Sequence, residues 1–204
     1  MPHPPAPDGN SRTPCDAPSD AVRYSAMTDS APWREIGRRN VFSEYGRGID
    51  RVTFELPDAG RSDFYLKNER PTAAVLALTP GRQVILARQF RPGPAAFLHE
   101  LPGGFVEPSA DPAGTAAAEL LEETGHRGTL RAVATCWDDA YSNVRRHVFA
   151  ATDCVRVAEP APGRTEFVDV VLMPLDTFRS TVLRRGMMTD VEAAYLALDH
   201  LGLL

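Results

Sequence analysis

The sequence predicts an α/β layered domain preceded by a small antiparallel sheet. Three observations carry this. Two apolar runs, TAAVLALT and QVILARQF, are joined by a turn at Pro80-Gly81-Arg82. A helix with well-marked ends follows, from about Pro112 to Thr124. Further strand-like runs and two closing helices come after it, and this alternation is the pattern of a layered α/β unit.

Taken in order, residues 1–32 are rich in Pro, Ser, Ala and Asp and poor in large apolar side chains. Such a segment cannot bury enough surface to offset its ordering entropy, so a disordered Pro-rich tail is expected there. It has neither a basic n-region nor an apolar h-region, so no signal peptide is expected. Residues 33–68 read as a small β subdomain. VFSEYG, DRVTFELP and SDFYL are short, aromatic or β-branched, and PDAGR between the last two is a hairpin turn. The main domain follows over residues 69–204. Its first helix has Asp111 as a cap, Pro112 at the first helical position and Gly125 placed for a left-handed stop. Strands are expected at RAVATCWD, RRHVFAATD and FVDVVLMP. Leu175 to Leu183 and Asp190 to His200 read as the closing helices, the second opening on the capping-box pattern Thr189-Asp190-Val191-Glu192.

Composition narrows the function classes. The 204 residues are 43% hydrophobic and 24% charged, ordinary for a soluble globular protein. A net charge of -5 offers no basic footprint for nucleic acid or an anionic membrane. No apolar run approaches the length of a bilayer span. The three cysteines, Cys15, Cys136 and Cys154, have no CxxC spacing and read as reduced thiols in a cytoplasmic protein. Mild acidity suits a protein that handles phosphates only where a cation intervenes.

The first helix carries the chemistry. At about 100° per residue, Ala113, Ala116, Ala117, Leu120, Leu121 and Thr124 share a side that can pack on a sheet. Glu119 and Glu123 share the opposite face, with Glu122 at its edge. Three carboxylates without a Lys or Arg in the helix repel one another, at a few tenths of a kcal/mol per pair. A divalent cation reverses that sign, and Mg²⁺ takes oxygen ligands. Before the helix comes Glu100-Leu101-Pro102-Gly103-Gly104, whose glycines admit close approach of a ligand. Before that comes Arg88-Gln89-Phe90-Arg91, with two cations. Carboxylates, a Gly-rich loop and arginines together suit a metal-bridged polyphosphate.

The stretch from Gly103 to His126 resembles the Nudix box: a Gly, a Glu six residues on, then Arg-Glu-apolar-x-Glu-Glu-x-Gly. Gly104, Glu119, Leu120, Glu122, Glu123 and Gly125 match, while Ala110 and Ala118 stand in place of the early Glu and the Arg. The resemblance runs from about Trp33 to the C-terminus. ARQFR, and HELPGG before the box, look like the ADP-ribose and nucleoside-diphosphate-sugar pyrophosphatase branch. It implies a Nudix α/β/α sandwich with a mixed sheet. It also implies roles for particular residues. Glu119, Glu123 and the Gly103 carbonyl would be metal ligands, and Glu122 would bind or bridge a second cation and serve catalysis. Arg88 and Arg91 would face the phosphates, and Glu100 and Gly104 would help hold the substrate. A base is expected on a loop after the box, where Glu166 in GRTEFVDVV is the best match and Asp138 or Asp139 the rival. Mg²⁺, with Mn²⁺ as a substitute, is the implied cofactor, and a homodimer formed through the N-terminal sheet the implied assembly.

The function this implies is hydrolysis of a pyrophosphate bond in a nucleoside diphosphate linked to another moiety. ADP-ribose, giving AMP and ribose 5-phosphate, comes first, and sugar nucleotides second. The alternatives are a Nudix domain that binds a nucleotide without turning it over, which Ala118 favours, and a hydrolase of a non-nucleotide diphosphate. No segment for reading DNA is seen. Arg145 and Arg146 read as strand-edge solubilising charges, and Phe42, Tyr45 and Trp137 as core.

Overall fold

The computed structural model describes residues 32–163 and 167–204. The tail expected over residues 1–32 lies outside these ranges apart from Pro32, and so does Glu166.

Short apolar runs between turns make strands because alternate side chains must find cover on two faces of a sheet. The run Thr72–Leu78 (β4) is buried on both faces, as is most of Gln83–Arg91 (β5). Odd and even residues feed two separate cores. Leu76, Leu86 and Val148 pack with Phe178, Ala194 and Leu198 of the closing helices. Val75, Ile85 and Phe149 pack with Ala116 and Leu120 of the first helix. Each fully buried Val, Leu, Ile or Phe side chain among them contributes about 1.5–3 kcal/mol. The result is an α/β/α sandwich: helix α1 (Pro112–Thr124) on one face, α2 (Leu175–Thr177) and α3 (Val191–His200) on the other. Leu175–Leu183 is not one regular helix, since α2 passes into a π-helical turn at Phe178–Leu183.

Ahead of this stands the three-stranded antiparallel sheet of β1 (Arg34–Glu44), β2 (Arg47–Glu55) and β3 (Arg61–Lys67), in that order. It is stitched to the main domain at its last residue. The Lys67 amide donates to the Tyr141 carbonyl at 2.8 Å, and the Asn143 amide to the Lys67 carbonyl at 3.1 Å. Asn143 also donates from Nδ2 to Asn68 Oδ1 at 2.6 Å. Three aromatic residues expected in the core lie outside it. Phe42 and Tyr45 sit at the projecting end of the β1–β2 hairpin, Tyr45 being 95% exposed, because the hairpin extends beyond anything that could cover it. Trp137 is exposed because it lies on the edge strand, where Arg145 covers its ring at 4.0 Å.

The large sheet is mixed. Its path is β10 (Asp169–Pro174), β5, β4, β9 (Arg145–Arg156) and β8 (His126–Trp137), with β4 and β9 parallel and the other pairs antiparallel. Two strands were not foreseen, β6 (Ala96–Glu100) and β7 (Gly103–Phe105). They exist because β4 and β5 pair only at Ala77 with Ile85 and Leu78 with Val84. Beyond those residues the two strands diverge. β6 then follows β5, and β7 follows β4 at Thr72–Ala74. The turn between β6 and β7 therefore lies in the split of the sheet, and the functional cavity opens there.

Candidate functional site

The helix α1 is placed by its ends. The Asp111 carboxylate accepts from the amides of Ala113 (3.3 Å) and Gly114 (3.1 Å), and Gly125 closes the helix at φ 73°. Both were legible as local chemistry. With the ends fixed and Ala116 and Leu120 buried against the sheet, Glu119 and Glu123 turn toward β7 rather than away from the protein. Glu123 is only 6% exposed and accepts from the Gly103 amide at 3.1 Å. The expected split into an apolar side and a solvated acidic face therefore does not hold, because at about 100° per residue Glu123 lies only about 20° around the helix from the buried Ala116. Glu122 is exposed and does not line the cavity; its carbonyl accepts from the Ala161 amide at 2.8 Å.

The two glycines of the turn are needed for different reasons. A Cβ at Gly103 would overlap the Ala73 carbonyl oxygen, which is backbone. A Cβ at Gly104 would overlap the Glu119 carboxylate, the end of a flexible side chain. Gly103→Ala is therefore expected to destabilise the protein by about 1–3 kcal/mol, the range for overpacking a tight interior. Gly104→Ala should leave the melting temperature nearly unchanged while displacing Glu119 and lowering activity. Thermal melts with turnover assays on both variants check this, and equal loss of stability in the two would contradict it.

The cavity holds about 730 Å³. On the wall facing α1, Arg91 donates to Glu100 through Nε at 2.6 Å and through Nη2 in a second close contact. Gln89 Nε2 donates to the same carboxylate at 3.0 Å. These bonds raise the Arg91 pKa above its ordinary value, so the guanidinium stays charged in a half-buried place. Arg88 does not join it. Residues three apart on a strand point to opposite faces, and Arg88 bonds Asp169 at 3.1 Å with its guanidinium 4.5 Å from the Phe97 ring centroid.

A second group of charges lines the cavity, of which sequence reasoning singles out only Asp138, as the rival base. Lys67 Nζ bonds Asp138 Oδ2 at 2.5 Å, and Arg146 Nη2 bonds Asp138 Oδ1 at 3.1 Å. Arg146 Nη1 lies 3.8 Å from Asp190 Oδ1 and in close contact with Glu192. Asp190 Oδ2 accepts from the Leu101 amide at 3.3 Å. Burial pushes the Asp190 carboxyl above its usual range, and Glu100 nearby adds to this, against the pull of Arg146. The capping box expected at Thr189–Glu192 does not form, because Asp190 and Glu192 are taken by Arg146 and the Leu101 amide. One signal was available: in RRHVF two adjacent strand residues are charged, so one of them must face inward.

The donors near α1 suit a hard divalent cation. Glu119, Glu123 and the Gly103 carbonyl all offer oxygen donors, and the glycine turn leaves room against the Glu119 carboxylate that a side chain at Gly104 would fill. Among the described residues no three His, Cys, Asp or Glu side chains gather closely enough to cage an ion. A pair of carboxylates completed by substrate phosphate and water is the usual environment of Mg²⁺. No helix among the described residues is long and apolar enough to cross a membrane.

Comparison with known proteins agrees with this geometry. The family model for the NUDIX domain matches residues 68–191. The chain is similar to the ADP-sugar pyrophosphatase of Mus musculus, 39% identical over 98 residues, which cover 45% of each chain. It is similar to the ADP-ribose pyrophosphatase of Bacillus subtilis (strain 168), 29% identical over 175 residues, 83% of this chain and 92% of that protein. A crystal structure of an ADP compounds hydrolase has the same fold, with a TM-score of 0.69 at 17% identity, covering 87% of this chain and all of that one.

Proposed function

This chain belongs to the NUDIX domain family, and on that footing we propose that it hydrolyses the pyrophosphate bond of a nucleoside diphosphate linked to another moiety. ADP-ribose, giving AMP and ribose 5-phosphate, is the first substrate and sugar nucleotides the second. The observation that carries this is the seating of Glu119 and Glu123 on the Gly103–Gly104 turn, across one cavity from Arg91. The relatives named for ADP-ribose and ADP-sugar hydrolysis support the choice of substrate.

In this reading Glu119, Glu123 and the Gly103 carbonyl hold Mg²⁺, for which Mn²⁺ can substitute, and Glu122 serves a second cation. The cation supplies Lewis acidity and neutralises phosphate charge. Arg91 contacts the phosphates, Glu100 holds Arg91 and the substrate, and the backbone at Gly104 lies against the substrate. Glu166 takes the proton of the attacking water. Arg88, whose guanidinium bonds Asp169 and lies over the Phe97 ring, would meet the phosphates only on leaving those partners. The protein is assigned to the cytoplasm as a homodimer formed through the N-terminal sheet, where the edge strand β1 exposes Val41 and Phe42.

A panel of ADP-ribose, ADP-glucose, UDP-glucose, a prenyl diphosphate and an inositol pyrophosphate, each with Mg²⁺, tests this. AMP should appear fastest from ADP-ribose. Tight binding of nucleotides with no product would favour a nucleotide sensor, the reading to which Ala118 points. Turnover confined to the last two compounds would place the substrate outside nucleotides.

A further inference from the structure

We infer that Arg146 is a positioning residue for the metal-binding turn, acting from the opposite side of the cavity. The inference rests on the proposal that Glu119, Glu123 and Gly103 hold a divalent cation. Contacts run without a break from the small sheet to α1. Lys67 of β3 holds Asp138, Asp138 holds Arg146, and Arg146 faces Asp190. Asp190 holds the Leu101 amide, and two residues on, the Gly103 amide holds Glu123. Leu101 and Pro102 are themselves buried, and the Pro102 carbonyl accepts from the Val75 amide at 3.0 Å, so the turn has few ways to move independently.

Arg146 fits the role better than a substrate-binding one. Its side chain is 15% exposed and its two terminal nitrogens already face three carboxylates, of Asp138, Asp190 and Glu192. Without it those acids repel one another in a half-buried place. Asp190, as deeply covered as Asp138, is then driven away from Leu101, and the turn loses the acceptor that sets its entry. Groups behind a metal ligand act in this way, by orienting ligands rather than by binding, and Arg146 does so at a further remove, through Asp190 and the Leu101 amide.

The test measures Mn²⁺ binding by the loss of the free-ion EPR signal, without substrate, on wild type, Arg146→Met, Arg146→Lys, Asp190→Ala and the double variant Arg146→Met/Asp190→Ala. Arg146→Met should weaken Mn²⁺ binding about tenfold, the scale found for groups behind metal ligands. Arg146→Lys keeps the charge but not the fork and should fall between it and wild type. Asp190→Ala should match Arg146→Met, and the double variant should lose no more than either, because both break one link. At saturating Mn²⁺ the KM of Arg146→Met for ADP-ribose should stay within about twofold of wild type. If the Met variant does not fold, the same comparison is made on Arg146→Lys, and unchanged Mn²⁺ binding there overturns the inference. Unchanged Mn²⁺ binding in Arg146→Met, or a raised KM alone, overturns it too and makes Arg146 inert or substrate-binding. Absence of Mn²⁺ binding in wild type would instead remove the proposed metal site itself, and this inference with it.

Discussion

Glu123→Gln is expected to lower turnover by at least about three orders of magnitude, roughly 4 kcal/mol of barrier at about 1.4 kcal/mol per tenfold. The apo protein should melt at the same temperature or slightly higher. The two outcomes come from different properties of the same side chain. Glutamine keeps an oxygen to accept from the Gly103 amide, so the tie between α1 and the turn survives. The charge is lost, which removes the repulsion between Glu119 and Glu123 on one helix together with the attraction of Glu123 to Arg91, so the two changes nearly offset each other. Scanning calorimetry beside a turnover assay separates the two. A fall of many degrees in the apo melt would make Glu123 structural, and full turnover would remove it from the metal site.

Stripping divalent metal should abolish activity, and Mg²⁺ should restore it. Helix α1 carries Glu119, Glu122 and Glu123 with no Lys or Arg along its length. Bound cation replaces repulsion with attraction, and it binds the folded chain alone, because only folding brings the helix and the turn together. At a hundredfold excess over its dissociation constant, Mg²⁺ should stabilise the protein by about 2.7 kcal/mol. For a chain of this size that raises the melting temperature by about 5–10 °C. Melts in EDTA and in MgCl₂ measure this directly. Turnover in excess EDTA, with a melt indifferent to Mg²⁺, would defeat the proposal.

What could be read from the sequence was local. Helix α1 appears where Asp111, Pro112 and Gly125 put it, since a cap and a left-handed stop need only their neighbours. The turn joining β4 and β5 falls at Thr79–Arg82, as the sequence placed it, with Arg82 in the left-handed region. The glutamates and glycines of the site share one short segment, while the pairing of Gly103 with Glu123 is seen only in the folded chain. The strand β7 left no trace, because three residues beginning Gly-Gly carry no alternation and pair with β4 only where β5 has turned aside. The group around Arg146 was hidden for another reason. Lys67 and Asp138 are 71 residues apart and Arg146 and Glu192 are 46 apart, so their pairing exists only after the sheets have formed. The exposure of Phe42, Tyr45 and Trp137 depends likewise on what the fold leaves uncovered.

The stitch at Lys67 bears on how the molecule comes apart. A three-stranded sheet standing in front of a sandwich looks like a module that could detach. Yet its last backbone groups are shared with the segment 141–143, and that segment leads directly into β9, a central strand of the large sheet. The amides of Lys67 and Asn143 can meet water only when both layers let go. Arg47 of β2 is also tied to Glu69 and to the Phe105 ring, and β2 pairs with β3 along its length, so both strands belong to the same cooperative unit as the catalytic half and separate opening is confined to the exposed edge strand β1. A domain boundary drawn by sequence near residue 68 separates residues that protect one another from solvent exchange.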